Sequence, residues 1–208
     1  ALCAPPLGKL AMQTGTVIMW ATELQPFLMG ILVSVFVGIA LTLPISSAAI
    51  CAALGLTGLA GGAAVAGCSA QMIGFAVQSY RENGVGGLLS QGLGTSMLQM
   101  PNIVRNPRIW IGPIFASAIT GPLATCVFKL RMDGAAVSSG MGTCGLVGQI
   151  GVFTGWISDM AAGTKAAITS FDWLGLLFIS FVLPAILSPI INQGCCRLGW
   201  VKNGDMKL

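Results

Sequence analysis

Long apolar runs separated by short polar clusters dominate the chain. From Leu24 to Tyr80 there is no Asp, Glu, Lys or Arg across 57 residues, whereas about 20 apolar residues suffice for one helical crossing of a bilayer. Pro26 to Leu43 reads as a membrane helix ended by Pro44, which cannot donate the next helical hydrogen bond. Ile45 to Val77 would measure about 50 Å as one straight helix, well beyond the ~30 Å of a hydrocarbon core. Gly55, Gly58, Gly61, Gly62 and Gly67 crowd its middle. The pattern predicts a broken or strongly tilted helix, with Gly58/Gly62 and Ala63/Gly67 as close contacts to neighbours. Ile109 to Phe128 and Trp173 to Ile191 complete about four crossings, with Pro113, Pro122, Pro184 and Pro189 as kinks. Residues 1–23 read as an interfacial helix or the end of a crossing, with Trp20 suited to the interface. Glu23 is a solvated end residue or an intramembrane carboxylate of functional weight. A polar loop is expected from Ser158 to Asp172.

Two stretches break this pattern in the same way. Ser90-Gln91-Gly92-Leu93-Gly94-Thr95-Ser96-Met97-Leu98 returns 48 positions later as Ser138-Ser139-Gly140-Met141-Gly142-Thr143-Cys144-Gly145-Leu146. Ser, both Gly, Thr and Leu recur in register, and Gly86 matches Gly134. This reads as an internal repeat. Both copies are too rich in Gly and hydroxyl residues for a lipid-facing helix, and broken backbone at membrane depth persists only where protein or a watery cavity surrounds it. Residues 84–104 and 134–154 are therefore expected to be re-entrant hairpins. Paired breaks of this kind are the sequence pointer to a transporter's binding site. The expected fold is an all-α polytopic membrane bundle, about four crossings with two opposed hairpins, in one domain over 1–208.

Composition supports the membrane reading: 55% of residues are hydrophobic, 8% are charged and the mean hydropathy is +0.87. Seven cysteines sit mostly in apolar runs without a CxxC, and there is no His. They read as small apolar residues and not as a disulfide framework. No zinc site is expected, nor any other metal or cofactor, and a His-based catalytic triad and a phosphohistidine on this chain are excluded. The net charge of +4 comes without a basic run, so nucleic acid is not a partner. If residues 26–43, 45–77, 109–128 and 173–191 each cross once, Lys9, Arg81, Arg105, Arg108, Arg197, Lys202 and Lys207 share one side. Lys129, Arg131 and Lys165 lie on the other. The positive-inside rule makes the first side cytoplasmic. One crossing between the copies makes them enter from opposite faces, the geometry of an inverted repeat.

Several co-linear motifs carry a resemblance. They are Pro44-Ile45-Ser46-Ser47-Ala48-Ala49-Ile50, the Gly58-to-Cys68 run, Gln71-Met72-Ile73-Gly74-Phe75-Ala76-Val77, Glu82-Asn83, Gln91 to Gln99, Pro101-Asn102-Ile103 and Gly140-Met141-Gly142-Thr143. Over roughly residues 25 to 155 the chain resembles the membrane-embedded IIC subunits of the bacterial phosphoenolpyruvate-dependent sugar phosphotransferase system. The subgroup it looks most similar to includes the perfringolysin-regulator membrane proteins. The resemblance implies a multi-pass protein of the bacterial cytoplasmic membrane that binds a sugar between two opposed hairpins and a scaffold. The sugar is then phosphorylated by a separate IIB domain, so IIB, IIA, the histidine phosphocarrier protein and enzyme I are implied partners, often with a homodimer. Such subunits are longer than this chain, so a preceding scaffold portion is expected. Better-known members use a Glu and often a His near the hairpins; here Glu82 is the candidate Glu.

A sugar site needs neutral donors and acceptors, because a desolvated unpaired hydroxyl costs a few kcal/mol, and a carboxylate able to accept two hydroxyls. Glu82, Asn83, Gln91, Thr95, Gln99 and Asn102 around the first copy, with Ser138, Ser139 and Thr143 in the second, supply that set. Glu82 is also the candidate general base for phosphoryl transfer to the sugar. The alternative role for the hydroxyls is to cap broken backbone, and for Glu82-Asn83 it is a solvated loop pair. Three functions remain open at this level: a sugar permease subunit, a membrane regulator or sensor with the same fold, and an ion-coupled carrier of another small solute.

Overall fold

The computed structural model describes residues 4–163 and 166–208, with the backbone alone for residues 4–12 and Thr14. Lys165 and the Lys9 side chain therefore lie outside the described residues. The described elements are helical apart from one isolated antiparallel bridge between Gly58 and Met132.

Helix α1 (Ala4–Leu24) is followed by α2 (Pro26–Thr42), which begins with a proline where a missing N–H costs nothing. Helix α3 (Ser47–Leu54) is capped by Ser46, which accepts the Ala49 N–H, and is ended by Gly55 at φ 62°. After this break comes α4 (Gly58–Gln78), so the long apolar stretch does divide in its glycine-rich part. The first repeat copy runs through α5 (Tyr80–Leu89), a π-helical turn at Ser90–Gly94, extended Thr95, a 3-10 turn at Ser96–Gln99 and α6 (Met100–Arg105). A 3-10 turn, Pro107–Trp110, feeds α7 (Ile111–Pro122), which continues as a π turn over Leu123–Val127. The second copy contains α8 (Ala136–Ser139), a 3-10 turn at Cys144–Leu146 and α9 (Val147–Ala161). Helix α10 (Ser170–Leu177) joins α11 (Leu183–Arg197) through a π turn at Phe178–Val182. That turn precedes Pro184, and the turn at Leu123–Val127 follows Pro122, where proline interrupts the ordinary ladder.

Helix α4 is the central element. It is built from Gly, Ala, Ser and Cys over most of its length, is buried almost throughout, and packs against α2, α7 and α11. A Cβ on Gly62 would overlap the Leu130 carbonyl, and one on Gly67 would overlap the Ser34 carbonyl. The predicted small-residue contacts at Gly62 and Gly67 are thus backbone-to-backbone approaches. Along α4, Gly58 exchanges hydrogen bonds with Met132 at one end, and Gln78 donates to the Ile109 carbonyl (3.0 Å) at the other. These define an Arg131 end and an Arg108 end of the molecule.

Among the described residues, three helices are long and apolar enough to cross a membrane: Gly58–Gln78, Pro107–Val127 and Ser170–Arg197. Helix α2 is apolar but has only 17 residues, about 25 Å. Residues 26–43 and 45–77 are not two successive crossings. Pro26 lies at the Arg131 end, where its carbonyl accepts from Thr125, while Thr42 bonds Gln71, about 10 Å short of Gln78. From there α3 returns, and only α4 runs the full depth. Pro44 after α2 and the left-handed cap at Gly55 impose this reversal. The charge asymmetry survives it: Arg81, Arg105, Arg108, Arg197, Lys202 and Lys207 gather at the Arg108 end, opposite Lys129 and Arg131.

Two smaller expectations also shift. Helix α9 carries the chain to Ala161, so the polar connection starts later than Ser158, and it closes on a capping box made by Thr169 and Asp172. Glu23 meets Arg131 at 3.2 Å with both side chains about half exposed, a surface pair that contributes roughly 0–1 kcal/mol.

The glycine packing gives a direct prediction. Gly67→Leu should lower stability by about 3 kcal/mol or prevent folding. Gly86→Ala should leave stability within about 1 kcal/mol of the parent, since a Cβ there meets nothing within 4 Å. Thermal melts of the two variants in detergent check the contrast; equal melts would refute it.

Candidate functional site

Both repeat copies are chain reversals, and they point at each other. The second starts at the Arg131 end, where Gly134 packs on Gly151, and Gly155 on Asp133, as the chain comes back. Its turn reaches α4 at Cys68 and Ser69, against which Gly142 lies so closely that a Cβ would collide; its φ of 53° also suits glycine. The first starts at the Arg108 end, and its turn at Gly92 packs on Ile73 and Ala76 of α4. The turns meet near the middle of α4. Thr143 Oγ1 donates to the Gly92 carbonyl at 2.6 Å and also lies 3.5 Å from Met72 Sδ.

Five of the nine candidate side chains converge in the first copy. Gln91, fully buried, donates to Ser79 Oγ (2.9 Å) and the Gly87 carbonyl (3.0 Å), and its Oε1 accepts from Gln99 Nε2 (3.0 Å). Gln99 Oε1 accepts from Asn102 Nδ2 (2.9 Å). Glu82 and Asn83 face the same place from α5, where Gly84 at φ 58° breaks the helix just after them. What they face is the segment 200–208, which runs beneath the first copy. Glu82 Oε1 accepts the Gly204 N–H (3.0 Å) and Oε2 the Met206 N–H (2.9 Å). Asn83 donates to the Met206 carbonyl (2.8 Å) and accepts the Leu208 N–H (2.8 Å). Gln99 Nε2 reaches the same Met206 carbonyl (2.9 Å), and Asn102 the Lys207 carbonyl (3.0 Å).

The other four candidates stand apart from this set. Thr95 Oγ1 accepts the Met97 N–H (3.2 Å) and so caps the 3-10 turn. Ser139 donates to the Ala136 carbonyl (2.7 Å), and Ser138 packs against Gly151. Thr143 alone reaches across to the first copy. The local capping role thus accounts for the bonds of Thr95 and Ser139.

A second polar cluster, absent from the candidate set, lies beside the meeting point. Gln71 Oε1 accepts from Trp110 Nε1 (2.8 Å), Gln71 Nε2 donates to Ser117 Oγ (3.2 Å), and Thr42 contacts both Gln71 and Ser96 (3.3 and 2.8 Å). Gln71 is the one carboxamide in Ile45 to Val77, and that isolation was the available signal. Gln78 with Ser188, and Gln149 with Ser69, add buried pairs. Gln149 Oε1, Ser180 Oγ and Asn192 Oδ1 are buried without a partner among the described residues.

Two cavities flank these elements. One of about 300 Å³ at the Arg108 end is lined by Gln78, Arg81, Glu82, Asn192, Lys202 and Met206, among others. The other, about 560 Å³, opens at the Arg131 end between Phe128, Arg131, Asp133, Trp156, Asp159 and Asp172. Among the described residues no three His, Cys, Asp or Glu side chains group to hold a metal ion.

Comparison with known proteins places this architecture. No curated protein and no solved structure matches the chain significantly. The sequence profile of the family described as "Phosphotransferase system, EIIC" matches residues 1–208, the whole chain. The chain thus belongs to the EIIC family of phosphotransferase-system membrane components.

Proposed function

We propose that this EIIC permease domain binds a sugar between its two repeat copies and presents it to a partner IIB for phosphorylation. The observation that carries the reading is the meeting of the copies at Thr143 and Gly92, with the buried donors and acceptors of Gln91, Gln99 and Asn102 behind it. In a bilayer each reversal would be a re-entrant hairpin, and the positively charged Arg108 end would face the cytoplasm, where IIB and IIA are found. Glu82, with Asn83, is proposed to accept sugar hydroxyls. At the chemical step the sugar oxygen would attack the phosphorus on the partner's phosphorylated residue. The bond from phosphorus to that residue breaks, and Glu82 takes the hydroxyl proton. Thr95, Ser138, Ser139 and Thr143 are proposed to shape the site through the hairpin turns.

A second reading, a sensor that keeps the fold without transport, is favoured by one observation: the segment 200–208 holds Glu82, Asn83, Gln99 and Asn102. Reconstitution with IIB and IIA separates the two. The permease reading expects sugar phosphorylation coupled to uptake, and the sensor reading expects sugar binding with neither.

Two variants test the assignment. Glu82→Gln should reduce phosphorylation at least about 100-fold, the usual scale of losing a general base, while membrane insertion stays intact; unchanged uptake would remove Glu82 from the site. Thr143→Val leaves the Gly92 carbonyl unpaired, a cost of about 1–3 kcal/mol, and should lower both the melting temperature and the uptake rate. Full uptake in a protein of unaltered melting would show that the contact between the copies is dispensable.

A further inference from the structure

Segment 200–208 is bound as a ligand would be. Val201 and Met206 are buried with Phe75, Ile103, Ile109 and Cys195, while Asn106 donates to the Trp200 carbonyl (3.0 Å) and Arg108 lies 5.7 Å from the Trp200 ring centre. Asp205 Oδ2 folds the segment by accepting the Lys202 N–H and Asn106 Nδ2, both at 2.8 Å. Between these anchors the backbone offers polar groups to the candidate site. The N–H groups of Gly204 and Met206 reach the two oxygens of Glu82, the pattern that two neighbouring sugar hydroxyls would offer a carboxylate. The Met206 carbonyl takes the donors of Asn83 and Gln99, as a further hydroxyl oxygen would. The cavity of about 300 Å³ lies against the same segment: Glu82, Val201, Lys202, Asn203 and Met206 all line it. Asn192 lines it too, 8% exposed, with its Oδ1 buried and without a partner among the described residues.

We infer that segment 200–208 is the resting occupant of the solute site, a strap that must leave before a polyhydroxylated solute can bond Glu82, Asn83, Gln99 and Asn102. This rests on the sugar-binding reading above and adds its regulation. Both occupants need the same six hydrogen bonds, so docking of the strap and binding of the solute exclude each other. The apparent affinity for solute is then lowered by the fraction of molecules in which the strap is docked. At the Arg108 end the strap also covers the face through which a bound sugar would be presented to a phosphorylating partner.

Hydrogen exchange and calorimetry on the full protein in detergent, with D-glucose, D-mannose, D-mannitol and galactitol as probes, test this. Without sugar the amides of residues 204–208 should exchange slowly. A sugar that binds should speed their exchange at least about tenfold, and Asp205→Ala, which loosens the strap without touching the site, should bind that sugar about tenfold more tightly. Binding to Asp205→Ala alone also supports the strap. A sugar that binds while exchange over 204–208 stays slow overturns the strap and leaves the sugar-binding reading standing. If Asp205→Ala does not fold, the exchange result on the unaltered chain decides. If no probe binds either protein, the sugar-binding reading falls and the strap inference falls with it.

Discussion

Helix α4 can sit at the centre because it lacks side chains where its neighbours touch it. Lipid supplies no hydrophobic drive between apolar helices, so close packing and polar contacts must hold them together. The carbonyls of Ser34 and Leu130 press against Gly67 and Gly62, Met132 packs on Gly61, and Ser188 on Gly74. Helices α2, α7 and α11 thereby come close enough for Gln71 and Gln78 to reach partners on them or beside them. Both repeat turns rest on the same helix, one on Cys68 and Ser69 and the other on Ile73 and Ala76. A bulkier α4 would push the turns apart and unpair the amides together.

Breaking a helix frees backbone groups that must be paired elsewhere, and the two copies differ in how they do it. In the second copy, Ser47 Oγ donates to the Gly140 carbonyl (2.7 Å) and Ser139 bonds back to Ala136, both within the bundle, while Gln149 Oε1 has no partner among the described residues. In the first, Gln91, Gln99 and Asn102 link side chain to side chain and end on the backbone of 206–207. Part of the pairing of the first copy thus falls to a separate segment, anchored chiefly by Val201 and Met206, while Ser79, Thr42 and Thr143 pair Gln91, Ser96 and Gly92. On the strap inference, that difference makes the first copy the exchangeable half of the proposed site.

Much of the architecture was legible in the sequence. The uncharged run and the glycine-rich break both have direct structural counterparts, because each follows from backbone chemistry that residue type controls; the matched repeat positions do not share a conformation, since Ser90–Gly94 form a π turn before extended Thr95 whereas Gly142 is left-handed (φ 53°) and Thr143 is not extended. The reversal of α2 and α3 was not legible: an uncharged stretch carries no mark of which side it faces, and Pro44 ends a helix without saying where the chain goes next. Residues 200–208 entered the sequence reading only through the charges of Lys202 and Lys207, because their bonds to Glu82 and Asn83 are made by backbone groups, to which side-chain identity is blind. Glu82, Asn83, Gln91, Gln99 and Asn102 could be grouped from sequence because they flank one turn. Thr95 could not be separated from Thr143, since their roles differ only in what lies opposite each hydroxyl.

The repeat turns rest against α4, and disulfide trapping in native membranes probes that seat. Cysteines at Gly92 and Ala76, in a chain with its own cysteines replaced, should cross-link rapidly on mild oxidation, because a Cβ at Gly92 would lie 3.5 Å from the Ala76 Cβ on α4 and a disulfide requires Cβ atoms about 3.5–4.5 Å apart. A protein that melts normally yet forms no cross-link between these positions would contradict the account.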